Sequence, residues 1–473
     1  MRGTNTSFGT RFMGIGLAFL LALAAPLPAQ ANSAQAQWSG GAATGAMVTD
    51  DTCPLVVEQE RLVLDIPEFP RQYYGTREAY LSYGGKVTAE YTFYNPADYT
   101  VEAVLVFPFG TVPDYGFAWD QENDEAVLGA DTEKYDITVD GEVVEKTLRH
   151  TLSFPGSQFE WERDMALLHE TYLVDDFYYP EMPVTRYVYE PRQVDTETFG
   201  AATAAFVLSA DPSRTKVLVE NQSGGQLLDE GMQFSCWVED DPIVVNVIGE
   251  PLGHLPDWQI YENGACETEI EGAMELIRTE TITLEEFALL EYEEASGVLE
   301  QDWYNAVVEA MKYFELAYGA VAGSEFSGDL TRYLMRWYEY RITLEPGQRM
   351  VNTVTAPLYP SIDLLYEPPV YQYTYLLSPA QSWDRFGTLD VEIHTPYYLT
   401  GSGLDGFTST DGGYTCHWTG LPEGELTFTL CSEPEPDAPG RGPSAWPVWM
   451  GAGALVLAAV VVICLVRRTR RQR

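Results

Sequence analysis

The sequence predicts a mainly β, exported protein: two β-sandwich-like domains, a pair of amphipathic helices between them, and one C-terminal transmembrane helix. Three observations carry that expectation. Many short runs rich in Val, Ile, Thr, Tyr and Phe are separated by turn residues at the spacing of sandwich strands. A helical period stands out from Thr283 to Tyr318. A long uncharged run near the C-terminus ends in a cluster of arginines. The chain of 473 residues is 45% hydrophobic and 13% aromatic, which excludes wholesale disorder. Its 71 acidic side chains against 27 basic ones exclude a nucleic-acid binder, because phosphate recognition needs clustered Lys and Arg.

At the N-terminus, Arg2 and Arg11 precede the uncharged apolar stretch Phe12 to Ala25, then Pro26, Pro28 and Ala29-Gln30-Ala31. This is the layout of a secretory signal peptide over 1–31 with cleavage after Ala31. The apolar stretch is too short to cross a bilayer, which takes about 20 residues. Residues 32–52, rich in Ala, Gly, Ser and Gln, read as a flexible leader.

Residues 53–277 read as the first β-rich domain. Val87 to Tyr94 and Val101 to Phe107 flank Asn95-Pro96-Ala97-Asp98, a turn signal. Asp140-Gly141 lies between Tyr135 to Val139 and Glu142 to Leu148, and Asp-Gly supplies the positive φ angles of a type I′ hairpin turn. Ala204 to Ser209, Asp211-Pro212-Ser213-Arg214 and Thr215 to Val219 repeat the pattern.

Residues 278–331 read as a helical insert. Thr283 is an N-cap signal with Glu285 and Glu286 in the first turn. A second run opens at Asp302, with Trp303, Val307, Ala310, Met311, Phe314, Ala317 and Tyr318 forming a stripe at helical spacing that suits a core face.

Residues 332–432 read as the second sandwich. Tyr338 to Leu344 and Arg349 to Thr355 flank Glu345-Pro346-Gly347-Gln348, whose Pro-Gly suits a type II turn. Tyr371, Tyr373 and Tyr375 alternate on one strand face and are expected to pack it. Cys416 and Cys431 flank Pro422-Glu423-Gly424-Glu425; if Glu423 and Gly424 close a hairpin, the two thiols face each other and form a candidate disulfide. The exported part carries five cysteines (Cys53, Cys236, Cys266, Cys416, Cys431), so at least one is left over.

The Pro-rich acidic spacer 433–444 precedes the uncharged span 445–466, with Trp446 and Trp449 at its outer interface. The tail 467–473 holds Arg467, Arg468, Arg470, Arg471 and Arg473, which stay on the cytoplasmic side. The expected topology is therefore a single-pass cell-membrane protein with its bulk outside. Seven of the basic residues lie in the two ends, so the exported part keeps 20 against 71 acids, a net −51. Such a field keeps it soluble and attracts cations, Ca²⁺ among them, although no ordered ligand spacing stands out and no cofactor is expected.

The spacer, span and arginine tail resemble the cell-wall sorting tail of Gram-positive surface proteins, but the L-P-x-T-G pentapeptide is missing. A plain membrane anchor follows. Phe93-Tyr94-Asn95-Pro96 followed by Val106-Phe107-Pro108-Phe109 resembles the opening strands of the vault/inter-alpha-trypsin-type domain and related bacterial β-sandwiches. Tyr375 to Ala380 with Trp383, Gly387 and Leu389 to Ile393 is similar to a pattern in uncharacterised exported bacterial proteins, including domains of unknown function. These resemblances imply an exported β-rich surface protein and carry no catalytic residue across.

Catalytic motifs are thin. Asp211-Pro212-Ser213-Arg214-Thr215 approximates a metal-binding D-x-S-x-S, yet a strand resumes after it, which makes it a turn. His169-Glu170 opens like a zinc-protease helix, but Leu173 stands where the second histidine belongs. Cys416 and His417 are strand neighbours and point to opposite faces. Glu160, Glu162 and Asp164 would share one face of a strand and form paired carboxylates for glycoside hydrolysis. The leading expectation is a surface-anchored binding or structural protein. Its partners would be membrane lipid and an envelope glycan or protein ligand. A carbohydrate hydrolase is the alternative.

Overall fold

The computed structural model describes residues 42–44, 46–48, 53–70, 85–108, 119–120, 125–126, 135–153, 160–239, 241–293, 297–323 and 330–437. The signal peptide, the span with Trp446 and Trp449, and the arginine tail lie outside the described residues. Among the described residues, no helix is long and apolar enough to cross a membrane.

The architecture is mainly β, in two layered units. The first, the base, is built on an eight-stranded sheet. Its order is Thr408–Thr410, Gly413–Thr419, Phe386–His394, Val56–Asp65, Gly85–Tyr94, Arg349–Leu358, Asp136–Val139, Glu142–Val143. Two shorter sheets face it. One runs Ala42–Thr44, Val370–Leu376, Leu426–Cys431, Tyr398–Ser402, with Ser361–Asp363 beside Val370–Leu376. The other runs Lys146–Leu152, Leu334–Leu344, Val101–Pro108, Met47–Val48. Alternation drives this layering: Leu62, Leu64, Val87, Ala89, Leu389 and Val391 point inward to meet Tyr373, Phe428 and Tyr340 in one apolar cluster.

The second unit is inserted between strands of the base. A five-stranded sheet (Ala273–Thr283, Pro183–Arg192, Ile243–Gly249, Thr215–Val219, Ala320–Val321) packs on a four-stranded one (Gln222–Leu228, Gly231–Trp237, Thr203–Leu208, Gln259–Tyr261). Val217, Val219, Val245 and Val247 meet Phe206 and Phe234 in its core. The other face of the five-stranded sheet carries Val184, Leu218 and Ile248 against the helices Leu284–Ala288 and Glu300–Tyr313. A sheet covered on both faces explains the unbroken burial of Ile243 to Ile248.

This arrangement corrects the expected domain boundaries. Residues 53–277 and 332–432 do not form separate sandwiches, because Arg349–Leu358 pairs with Gly85–Tyr94 and Phe386–His394 pairs with Val56–Asp65. The helical insert does not begin at 278 either, since the strand Ala273–Thr283 runs through that position. Part of the leader is structured: Ala42–Thr44 pairs with Val370–Leu376 and Met47–Val48 with Val101–Pro108, linking the two shorter sheets.

The reason is local ambiguity in the turns. Of five expected strand–turn–strand units, Asp140-Gly141 closes a true hairpin, with φ of 49° and 83°. The turns at Asn95, Asp211, Pro346 and Pro422 instead carry the chain from one sheet to the facing one. A turn signal reports reversal but not whether the next strand pairs beside the last or packs about 10 Å across from it. The helical readings fare better. Trp303, Val307, Ala310 and Met311 are buried in the core as expected, while the helix ends at Tyr313. Thr283 caps its helix reciprocally with Glu286, Glu286 N donating to Thr283 Oγ1 at 3.1 Å and Thr283 N to Glu286 Oε2 at 2.8 Å. Thr283→Ala is expected to cost about 1 kcal/mol in denaturant titrations.

Candidate functional site

Three places in the base combine chemistry with access or burial. The first is the outer face of the eight-stranded sheet. Residues alternate outward as Gln59, Arg61 and Asp65 on one strand and as Asp390, Glu392 and His394 on its parallel neighbour. Arg61 Nε donates to Glu392 at 2.9 Å, Gln59 to Asp390 at 2.7 Å, and His394 Nδ1 lies 2.9 Å from Asp65. His417, from the next strand, lies 2.7 Å from Asp390. The Arg61 contact holds the Glu392 carboxyl below its ordinary range. Partial burial works against Asp390, but hydrogen bonds from His417 and Gln59 outweigh it and lower its pKa.

The row ends in an open concavity of about 560 Å³ lined by Asp65, Ile66, Pro67, Lys86, His394, Thr395 and Pro396. An ammonium, an imidazole and a carboxylate at one mouth can hold a polar ligand by charge-assisted hydrogen bonds. A nucleophilic relay is not formed there: the Thr395 hydroxyl donates to the Ile66 carbonyl at 3.0 Å.

The second place is internal. Glu60 shares the inward face of Leu62 and Leu64 and is 1% exposed. Its Oε1 accepts from the hydroxyls of Tyr91 and Tyr375, each at 2.8 Å, while Oε2 has no hydrogen-bond partner among the described residues. The leader packs against the same tyrosine, with Ala46 N donating to Tyr91 Oη at 3.2 Å. Burial pushes the Glu60 carboxyl up to about 7, against the two tyrosine hydrogen bonds.

The third is a groove of about 780 Å³ on the outer side of the sheet that contains Val370–Leu376. Ile362, Leu364, Leu365 and Val370 form its apolar part, and Pro434 and Pro436 lie against it. Asp437 N donates to Glu367 O at 3.0 Å and Glu367 N to Asp437 O at 3.2 Å, so the last described residue is bonded to the base beside this groove.

The sequence-predicted sites fall differently. Cys416 pairs opposite Val391 in the eight-stranded sheet, whereas Cys431 pairs opposite Tyr398 in a facing sheet, so the expected hairpin and its disulfide are not made. Both are free thiols: Cys416 Sγ donates to Asp405 O at 3.6 Å and Cys431 Sγ to Pro368 O at 3.7 Å. Alkylation of denatured, unreduced protein is expected to modify both, which peptide mapping checks. Glu160, Glu162 and Asp164 do not line a strand face. Residues Trp161–Met165 form a short helix in which Asp164 is buried and accepts from Glu160 N at 2.9 Å. Asp211 Oδ1 accepts from Ser213 N and Oγ at 3.0 and 2.7 Å, which makes the D-x-S-x-S look-alike a turn. Among the described residues, no group of three or more His, Cys, Asp or Glu side chains is placed to hold a metal ion.

No family model matches the chain, and no curated protein matches it. Among solved structures, it is similar to a putative nutrient binding protein from Legionella pneumophila subsp. pneumophila str. Philadelphia 1. The identity is 10% and the TM-score 0.33, over 83% of this chain and 71% of that one.

Proposed function

We propose that the chain is a cell-surface, single-pass membrane-anchored protein whose extracytoplasmic body binds a ligand or holds an assembly. The base is its tethered part, and the inserted unit is carried on the base. One observation supports this most directly. The Glu367–Asp437 backbone pair fixes the fold as far as Asp437, eight residues before the uncharged run that begins at Ala445. A body secured so close to an apolar segment suits display at a membrane surface. The outer sheet face with its Asp65, Lys86 and His394 concavity is the proposed contact for a polar ligand, an envelope glycan or an acidic or basic peptide.

The purified body, Ala42 to Asp437, is to be titrated against cell-wall glycan fragments, peptides and generic hydrolase substrates. Saturable binding without turnover, weakened at least tenfold by His394→Ala with Lys86→Ala, is the expected result. Turnover abolished by one Asp or Glu substitution would overturn the reading.

A further inference from the structure

The groove beside Asp437 has an apolar rim that is exposed among the described residues. Leu364 and Leu365 are 59% and 65% exposed, in a turn between Ser361–Asp363 and Val370–Leu376. The turn has a defined shape: Leu365 N donates to Asp363 Oδ1 at 2.9 Å, a local Asx bond that fixes the backbone under the two leucines. Tyr398, 48% exposed, lies at the same end of this sheet, opposite Cys431, whose thiol donates to Pro368 O. The two leucines are adjacent in sequence and both line the groove, which makes them a paired apolar feature rather than singly scattered ones.

What lies nearest is set by the tether. Leu365 stands two residues from Glu367, and Glu367 is bonded directly to Asp437. From Asp437 the chain has eight residues to Ala445, a reach of at most roughly 29 Å at up to 3.6 Å per residue. Under the proposed topology Leu365, two residues from Glu367, which lies one strand spacing from Asp437, is therefore held within roughly 40 Å of the point where the span enters the bilayer. Tethering raises the local concentration of lipid surface, so a contact too weak to bind membranes alone becomes occupied.

Resting on the membrane-anchored reading, we propose that the Leu364-Leu365 turn is a second, interfacial membrane contact of the base. Its chemistry is apolar. Asp363 lines the groove, Glu367 pairs with Asp437 beside it, and Glu433 and Glu435 neighbour its Pro434 and Pro436 in sequence; these carboxylates disfavour an anionic surface. The expected partner is a zwitterionic lipid interface into which the leucines dip while the acids remain in water. One consequence is orientation: a span and a rigid turn together fix which way the sheet face and the inserted unit look from the membrane.

The test uses the full chain in phosphatidylcholine vesicles, with Leu365→p-benzoylphenylalanine in one sample and Leu227→p-benzoylphenylalanine in another. Leu227 is 63% exposed on the inserted unit and serves as the control. Illumination is expected to give phosphatidylcholine adducts, seen by mass spectrometry, at least fivefold more abundant at 365 than at 227. Carbonate extraction of the same samples separates the two ideas. Protein that resists carbonate but gives equal adducts at both positions, or a crosslinked dimer through 365, overturns the interfacial contact and leaves the anchor standing. Protein released by carbonate overturns the anchor and the contact with it.

Discussion

Asp302→Ala is expected to destabilise the protein by about 3–5 kcal/mol, the usual cost of stripping one partner from a buried ion pair. Asp302 lies on the helix of the inserted unit and is 1% exposed; Arg149 lies on a strand of the base. Arg149 Nε donates to both carboxylate oxygens at 3.1 Å and Nη2 to Oδ1 at 2.9 Å, while His150 N reaches Oδ2 at 2.8 Å. Burial works against the Arg149 charge, but Asp302 and Glu339 outweigh it and hold its pKa above the ordinary value. Removing the carboxylate leaves a guanidinium buried against Glu339 and the His169 carbonyl alone. Because the pair joins two units, its loss is expected to split one calorimetric transition into two. Arg149→Met with Asp302→Leu removes both charges and is expected to recover most of the loss, since well-packed apolar replacements of buried pairs are often neutral or better. A single transition with unchanged stability in Asp302→Ala would show that the pair does not hold the units together.

Glu60→Gln is expected to stabilise the protein above pH 7 and to gain nothing below about pH 4.5. Raising a carboxyl from its ordinary 4.5 to about 7 corresponds to on the order of 3 kcal/mol. The sign follows from proton counting. Below 4.5 folded and unfolded chains both carry the proton, and the effect vanishes. Between 4.5 and 7 the folded state binds more protons than the unfolded state, so stability falls as pH rises. Above 7 the full penalty of a buried carboxylate is present. Glutamine keeps an oxygen for Tyr91 and Tyr375 without that charge. Denaturant midpoints of both proteins at pH 4.5, 6 and 8 give the difference, and a gap that does not widen with pH would contradict a buried, raised carboxyl.

How much of this was legible in the sequence depends on whether a feature is local. The N-cap at Thr283, the Asp-Gly hairpin and the apolar stripe of Trp303, Val307 and Met311 depend on neighbours within a few residues, and the structure keeps them. Strand partners are a non-local property. The turns at Asn95, Pro346 and Pro422 carry the chain from one sheet to the facing one, and the crossing at Pro422 is what parts Cys416 from Cys431. Glu60 drew no notice in the sequence, one of many acids in the chain. Its signal was phase: it sits two and four residues before the inward Leu62 and Leu64. Arg149 and Asp302 are 153 residues apart, and no local pattern links them. The groove at Leu364 is lined by Pro434 and Pro436, which the pairing of Glu367 with Asp437 brings back across some 70 residues of chain.

The central claim, an extracytoplasmic body on one span, is tested most directly by protease protection of the full chain in intact cells. External protease is expected to digest the body, Ala42 to Asp437, and to leave a short membrane fragment carrying the arginine tail, which an antibody to a C-terminal epitope detects only after permeabilisation. A body protected from protease in intact cells, or a full-length chain that separates from membranes in alkaline carbonate, would contradict it.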